Sequence, residues 1–184
     1  MLRVYKTDGI VLKRKNIGET DRLLTIFTRE HGKLVVIAKG IRKITSRKAP
    51  HLEPFVRLNL LLARGRSYDH VIEVQTIKKN LNIQKKLERI AVAYKIAELV
   101  DRLCPEKEDH EQIFSFVVEA LSVINTCQLQ DLLTVSEKFS HQLLWELGYL
   151  PRSRKLTGIT LTNFLENVME STLKSQVLLT KLHV

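Results

Sequence analysis

The 184-residue chain is 44% apolar and carries a formal net charge of +10. That balance suits a soluble globular protein with room for one large domain or two small ones. No uninterrupted apolar run reaches the roughly eighteen residues of a membrane-spanning helix, and the amino terminus, MLRVYKTDGIV, has neither an apolar signal region nor a small-residue cleavage site, so a cytoplasmic location is expected.

The charge is unevenly placed. Residues 1–80 hold 18 lysines and arginines against seven acidic residues, whereas residues 81–184 hold 12 against 13. Such asymmetry suggests that one half meets a polyanion while the other has a different job. Cys104 and Cys127 stand alone, without a CxxC pair or a histidine at ligand spacing, and are expected to be reduced residues in or near the core.

The first eighty residues read as strands. Tyr5 to Lys15 alternates loosely and meets a turn-rich break, Asn16-Ile17-Gly18-Glu19. In DRLLTIFTRE, Leu24 and Ile26 share one side of a strand, and Leu23, Thr25 and Phe27 share the other. Phe27 is expected in the core. Glu30-His31-Gly32 makes a short hairpin connection. The run LVVIA is apolar on both faces and predicts a strand covered on both sides. A connection crowded with cations, IRKITSRK, leads to a strand in which Val56, Leu58, Leu60 and Leu62 alternate with more polar positions. Arg64-Gly65-Arg66-Ser67 turns the chain into a last strand, where Ile72 and Val74 alternate with Glu73 and Gln75.

Five strands in this length, with one long connection between the third and fourth, suit a small closed barrel. A five-stranded OB-type barrel is the commonest such solution, and an SH3-like barrel has similar length.

From Leu81 the apolar period becomes helical, giving an α+β chain with a barrel over 1–80 and a helical domain over 81–184. A first helix is predicted from Asn82 to Leu103, with one apolar stripe through Ile83, Leu87, Ile90, Tyr94 and Ala97 and another through Val92, Ile96, Leu99, Val100 and Leu103. Cys104-Pro105 stops it. A second helix spans Glu111 to Thr126. A third is capped by Asp131 and ended by Gly148. Tyr149 to Thr160 reads as a loop. Asn163 with Glu166 resembles a capping box opening a last helix through Leu165, Val168, Met169, Leu173 and Val177.

No constellation for proton transfer, metal binding or oxyanion stabilisation is apparent, and the chain is expected not to be an enzyme. His31, His51, His70, His110, His141 and His183 fall in predicted loops or on helix surfaces, without a nucleophile beside them. Glu19 and Asp21 would lie on one face of an extended strand, where they suit either a magnesium-dependent nuclease or, more simply, a turn cap paired with Arg22 or Lys13.

Cations offer the positive signal. Lys13, Arg14 and Lys15 end the first strand, Arg22 opens the second, Lys39, Arg42, Lys43, Arg47 and Lys48 fill the long connection, and Arg57, Arg64 and Arg66 follow. Lysine and arginine neutralise phosphates and release counterions, and guanidinium groups also stack on bases. With only Tyr5, Phe27, Phe55 and Tyr68 as aromatic candidates in this half, contact should be dominated by the backbone, with little sequence preference. A structural RNA-binding or ribosome-associated OB protein is the alternative reading.

The motifs GIVL, GETDRLLTIFTREHGK, AKGIRKITSR and LEPF occur in that order over residues 7–67. Together they resemble the RecO family of bacterial recombination mediators. The resemblance implies an OB fold followed by a helical domain. It further implies binding of single- and double-stranded DNA, annealing of complementary strands in the nucleoid, and loading of RecA, with RecR, on DNA coated by single-stranded DNA-binding protein. It also implies that the helical domain takes the acidic, hydrophobic tail of the latter protein, with Lys138, Arg152, Arg154 and Lys155 beside Leu144, Trp145 and Tyr149 as candidate contacts. Many members carry a four-cysteine zinc module after the stretch that here reads LGYLP. This chain continues RSRKLTGITLTNF with no cysteine after Cys127, so neither zinc nor another cofactor is expected.

Overall fold

The computed structural model describes residues 3–175 and residue 179. The chain divides into two compact units, one made of Met1–Lys79 with Cys104–Glu111 and the other of Asn80–Leu103 with Gln112–Val184.

Five strands build the first unit: β1 (Val4–Ile17), β2 (Asp21–Thr28), β3 (Gly32–Ala38), β4 (Arg57–Ala63) and β5 (Asp69–Lys78). They close into a barrel in the order β1-β2-β3-β5-β4, which is an OB fold. Closure depends on β1. Its residues Val4 to Ile10 pair with β4 while Gly9 to Ile17 pair with β2, and the register shifts between Val11 and Lys13. A bulge of this kind raises local twist and bends the strand, so one strand can serve both neighbours. β3 and β5 meet in parallel at only Val36–Asp69 and Ile37–His70.

Alternation fills the interior. Leu24, Ile26, Leu34, Val36, Leu58, Leu60 and Leu62 form the barrel core with Val11 and Val71. Truncating Leu60 to alanine would cost about 2–5 kcal/mol, since transfer energy and cavity formation add. Phe27 is fully buried, as its apolar neighbours suggest. Two expectations change. Val35 and Ile37, on the second face of β3, are only half-buried, so that strand is not covered equally on both sides. In β5 the pairing jumps from Leu61–Glu73 to Leu62–Val71, which leaves Ile72 as the extra residue. Val71 therefore faces the core and Ile72 is 43% exposed.

The segment Cys104–Glu111 belongs with the barrel, where the Lys107 N–H donates to the Lys33 carbonyl at 3.0 Å. Gly32 permits this approach. Its φ is +60°, and a Cβ there would lie 1.8 Å from the Glu108 carbonyl oxygen. Burial pushes the Cys104 thiol up to about 12, leaving it protonated and unreactive at neutral pH.

The second unit contains α1 (Leu87–Leu103), most of α2 (Glu111–Thr126), α3 (Leu132–Glu146) and α4 (Gly158–Met169). α1 starts later than its periodicity suggests: Ile83–Lys85 forms a 3-10 turn, and Lys86 is extended at φ −134° and ψ 129°. Of its two predicted stripes, Val92, Ile96, Leu99, Val100 and Leu103 are buried, whereas Leu87 and Tyr94 are exposed. Asp131 occupies the cap position of α3 but makes no capping hydrogen bond. Gly148, at φ +75°, ends the helical run, and the Tyr149 N–H closes back onto the Leu144 carbonyl at 2.9 Å.

The capping box at Asn163 is not formed. α4 begins five residues earlier, where the Gly158 N–H donates to Glu137 Oε1 at 2.8 Å. Glu166 instead reaches past the helix end to accept the Leu173 N–H at 3.0 Å. The predicted loop thus stops at Thr157, the cap residue of α4. Val177 and His183 lie outside the described residues.

His141 departs from the surface position expected of it. It is buried, one ring nitrogen lies 2.8 Å from the Glu137 carbonyl, and Nε2 accepts the Leu156 N–H at 3.0 Å. The ring is therefore neutral with its proton on Nδ1, and it ties the segment before α4 to α3.

Candidate nucleic-acid interface

The connection from Lys39 to Val56 is long, yet it is fastened along its length. At its start the Asp21 carboxylate accepts the Gly40 N–H at 2.7 Å, and the Arg42 N–H donates to the Thr20 carbonyl at 2.9 Å. The Arg42 guanidinium also donates to the Gly18 carbonyl at 3.3 Å. Further on, Ile41, Leu52 and Val56 are buried in the barrel core, with Ala49 packed against it. The Lys48 ammonium donates to the carbonyls of Val71 and Ile72 on β5, at 3.2 and 3.1 Å. His51 Nδ1 lies 2.6 Å from the Thr76 hydroxyl, and the Phe55 N–H returns to the Val11 carbonyl at 2.9 Å.

The energetic logic is that buried aliphatic residues hold the loop while its cations stay in water. Lys39, Arg42, Lys43 and Arg47 are exposed, as are Lys13, Arg14 and Lys15 on β1. No acidic residue occurs between Glu30 and Glu53. The stretch itself therefore carries only positive charge, with Asp21 beside its start, and Glu53 at its end binds both Arg14 and Arg22. That shared carboxylate links two cations from adjacent strands to the end of the loop. Asp21 is held below the usual carboxylate range, first by the Gly40 N–H and then by the Thr20 hydroxyl, with Lys39 and Lys43 adding attraction.

Other predicted cations are held by specific partners. Arg57 makes a two-pronged contact with Asp8, its Nε 3.0 Å from Oδ1 and its Nη2 2.5 Å from Oδ2, in a part-buried position. Asp8 raises its already high pKa further, so Arg57 is a structural cation. Lys48 is occupied by backbone carbonyls. Arg64 lies on the β4–β5 connection, 5.7 Å from the centroid of the Tyr5 ring, and Arg66 beside it is exposed. Tyr5 donates to Asp69 at 2.5 Å and meets His31 edge to face at 4.8 Å. Burial foremost, followed by Asp69, pushes its phenol well above the ordinary range. Neither the anchoring role of Thr20 nor the contacts of Tyr5 with Asp69 and His31 had a sequence signal beyond polar residues near turns.

One oxygen of Asp21 accepts from both the Thr20 hydroxyl, at 3.0 Å, and the Gly40 N–H. Among the described residues, no group of three or more histidine, cysteine, aspartate or glutamate side chains could hold a metal ion. No helix of the described residues is long and apolar enough to cross a membrane.

In the helical unit a cleft of about 490 Å³ is lined by Gln112, Phe116, Gln142, Trp145, Glu146 and Arg152. The Trp145 indole nitrogen is buried and has no hydrogen-bond partner. Arg152 lies 3.9 Å from Glu146, and Lys138 pairs with Glu119 at 2.9 Å. Tyr149, Arg154 and Lys155 are exposed. Leu144 is fully buried and is a core residue, which removes it from the candidate contacts.

The family model for the amino-terminal domain of recombination protein O matches residues 1–80, and that for its carboxy-terminal domain matches residues 84–156. Among similar proteins, DNA repair protein RecO of Thermoanaerobacter sp. (strain X514) is 34% identical over 151 residues, covering 82% of this chain and 60% of the relative. The proteins of the same name from Pelotomaculum thermopropionicum and Roseiflexus sp. (strain RS-1) are 36% and 39% identical over 150 residues, covering 82% of this chain and 57% and 52% of the relatives. The match thus spans between half and three-fifths of the length of these three relatives. With both domain models in sequence over an OB barrel and a helical unit, the chain belongs to the RecO family.

Proposed function

We propose that this chain is a DNA-repair recombination mediator that binds single- and double-stranded DNA through its basic barrel. It anneals complementary strands by screening their mutual repulsion, which requires a dense positive surface and no covalent chemistry. The observation that carries this reading is the anchored connection Lys39–Val56, whose core side chains and hydrogen bonds present Lys39, Arg42, Lys43 and Arg47 in an acid-free stretch.

The helical unit would supply the protein contacts. The cleft beside Phe116, Trp145 and Arg152 combines aromatic side chains with a cation. Those groups suit an acidic, hydrophobic peptide such as the tail of single-stranded DNA-binding protein, and Glu146 in the same lining would disfavour a purely acidic one. Acting with RecR, the chain would then assist RecA onto coated DNA in the bacterial nucleoid. No cofactor and no catalytic step enter this scheme.

The test is strand annealing on DNA precoated with single-stranded DNA-binding protein, with and without that protein's tail. Annealing that is faster with the tail supports both parts of the proposal. Failure in both cases counts against the mediator role, and tighter binding to structured RNA than to DNA would favour an RNA-binding OB protein instead.

A further inference from the structure

Ile44 is 106% exposed, more than any other large apolar residue among those described; the next, Ile159, reaches 71%. Scattered exposed aliphatic residues are ordinary, but the placement of this one is not. The Lys43 N–H donates to the Gly40 carbonyl at 3.2 Å, and the Ser46 N–H donates to the Lys43 carbonyl at 2.9 Å. The second bond closes a turn, Lys43-Ile44-Thr45-Ser46, with Ile44 at its first central position. Proline is the residue most favoured there, so a bare β-branched aliphatic side chain gains nothing locally.

The same loop shows that its apolar residues can be covered, since Ile41 and Leu52 are 1% and 0% exposed. Ile44 alone points away, with Lys39, Arg42 and Lys43 before it and Arg47 after it. The loop beneath is fastened at Gly40 and Arg42 on one side and at Lys48 on the other. The result is an exposed apolar tip on an anchored connection, flanked along the chain by exposed cations. Phosphates drawn to these flanking cations would bring the bases of the same strand near the tip, and aliphatic wedges of this size part adjacent bases in other DNA-binding proteins.

We infer that Ile44 is a wedge that inserts between neighbouring bases of bound DNA and unstacks them, while the flanking cations hold the backbone. This rests on the DNA-binding reading above. It assigns base contact to one residue in a surface otherwise expected to touch mainly backbone. Unstacked bases would present their pairing edges to an incoming strand.

The experiment uses the full chain with DNA carrying one 2-aminopurine, a base that brightens when unstacked, and follows anisotropy of an end label in the same samples. Ile44→Ser should bind with an unchanged salt slope but lose the brightening seen with the wild type. In a Trp145→Phe background, which removes the chain's single tryptophan, Ile44→Trp should restore brightening, and its indole emission should be quenched as DNA saturates. Intact binding with full brightening in Ile44→Ser, or an indole at position 44 that DNA does not quench, overturns the wedge alone. No anisotropy change for the wild type overturns the DNA-binding reading and the wedge with it. An indole response to anionic phosphatidylglycerol vesicles but not to DNA would make the tip a membrane contact and also overturn it.

Discussion

Asp21 and Gly40 are joined across the barrel rim by a 2.7 Å hydrogen bond from backbone N–H to carboxylate, so the residue that opens β2 fixes where the basic connection begins. The bond also relates loop geometry to pH. The folded-state pKa of Asp21 lies below its ordinary value, so its stabilising contribution is present above about pH 4, where the unfolded chain's carboxylate is also ionised, and is lost as pH falls through the depressed folded value.

Asp21→Ala should release the start of the connection. Faster amide exchange at Gly40 and Arg42, with the rest of the barrel unchanged, is the expected readout. DNA affinity should fall less than when cations are removed, because every charge of the loop remains. A variant whose exchange matches the wild type would place the anchor elsewhere.

The Arg57–Asp8 pair predicts the opposite division between stability and binding. Asp8→Ala strands a part-buried guanidinium and should cost about 1–3 kcal/mol in chemical unfolding. Arg57→Met should retain most of the packing. Neither should alter the salt dependence of DNA binding; a flatter slope in Arg57→Met would return this residue to the interface.

Lys95 is buried in α1, where loss of hydration lowers its ammonium pKa and Glu137 only partly offsets it. Below the folded value the group is charged in both states, and folding bears the full desolvation cost. As pH rises from that value toward about 10.5, the unfolded chain holds the extra proton and stability increases. Lys95→Met should therefore stabilise the protein at pH 7, with the advantage shrinking as pH approaches 10.5. Thermal unfolding at pH 7 and pH 10 checks both parts, and a destabilised variant at pH 7 would show that the amine is usefully paired.

The barrel was legible because its signals are local and repeated: Leu58, Leu60 and Leu62 alternate, and glycines sit at the turns. The bulge that trades Ile72 for Val71 was not, since it depends on how β5 pairs with β4. Asn163 and Glu166 have the spacing of a cap, but Glu137, distant in sequence, receives the Gly158 N–H and starts α4 earlier. The candidate site divides in the same way. A run of cations is visible in one dimension, whereas the spending of Arg57 on Asp8 and of Lys48 on the β5 carbonyls requires partners far along the chain. Ile44 looks like any apolar loop residue until its neighbours Ile41 and Leu52 are seen to be buried.

The most direct measurement is the salt dependence of DNA binding for the wild type and for a variant with Lys39, Arg42, Lys43 and Arg47 changed to alanine. Each lost phosphate contact should remove about 0.7–0.9 from the slope of log affinity against log salt, so the variant should be flatter by about 3 and weaker on unrelated sequences alike. A variant with the wild-type slope would contradict the assignment of DNA binding to this anchored basic connection.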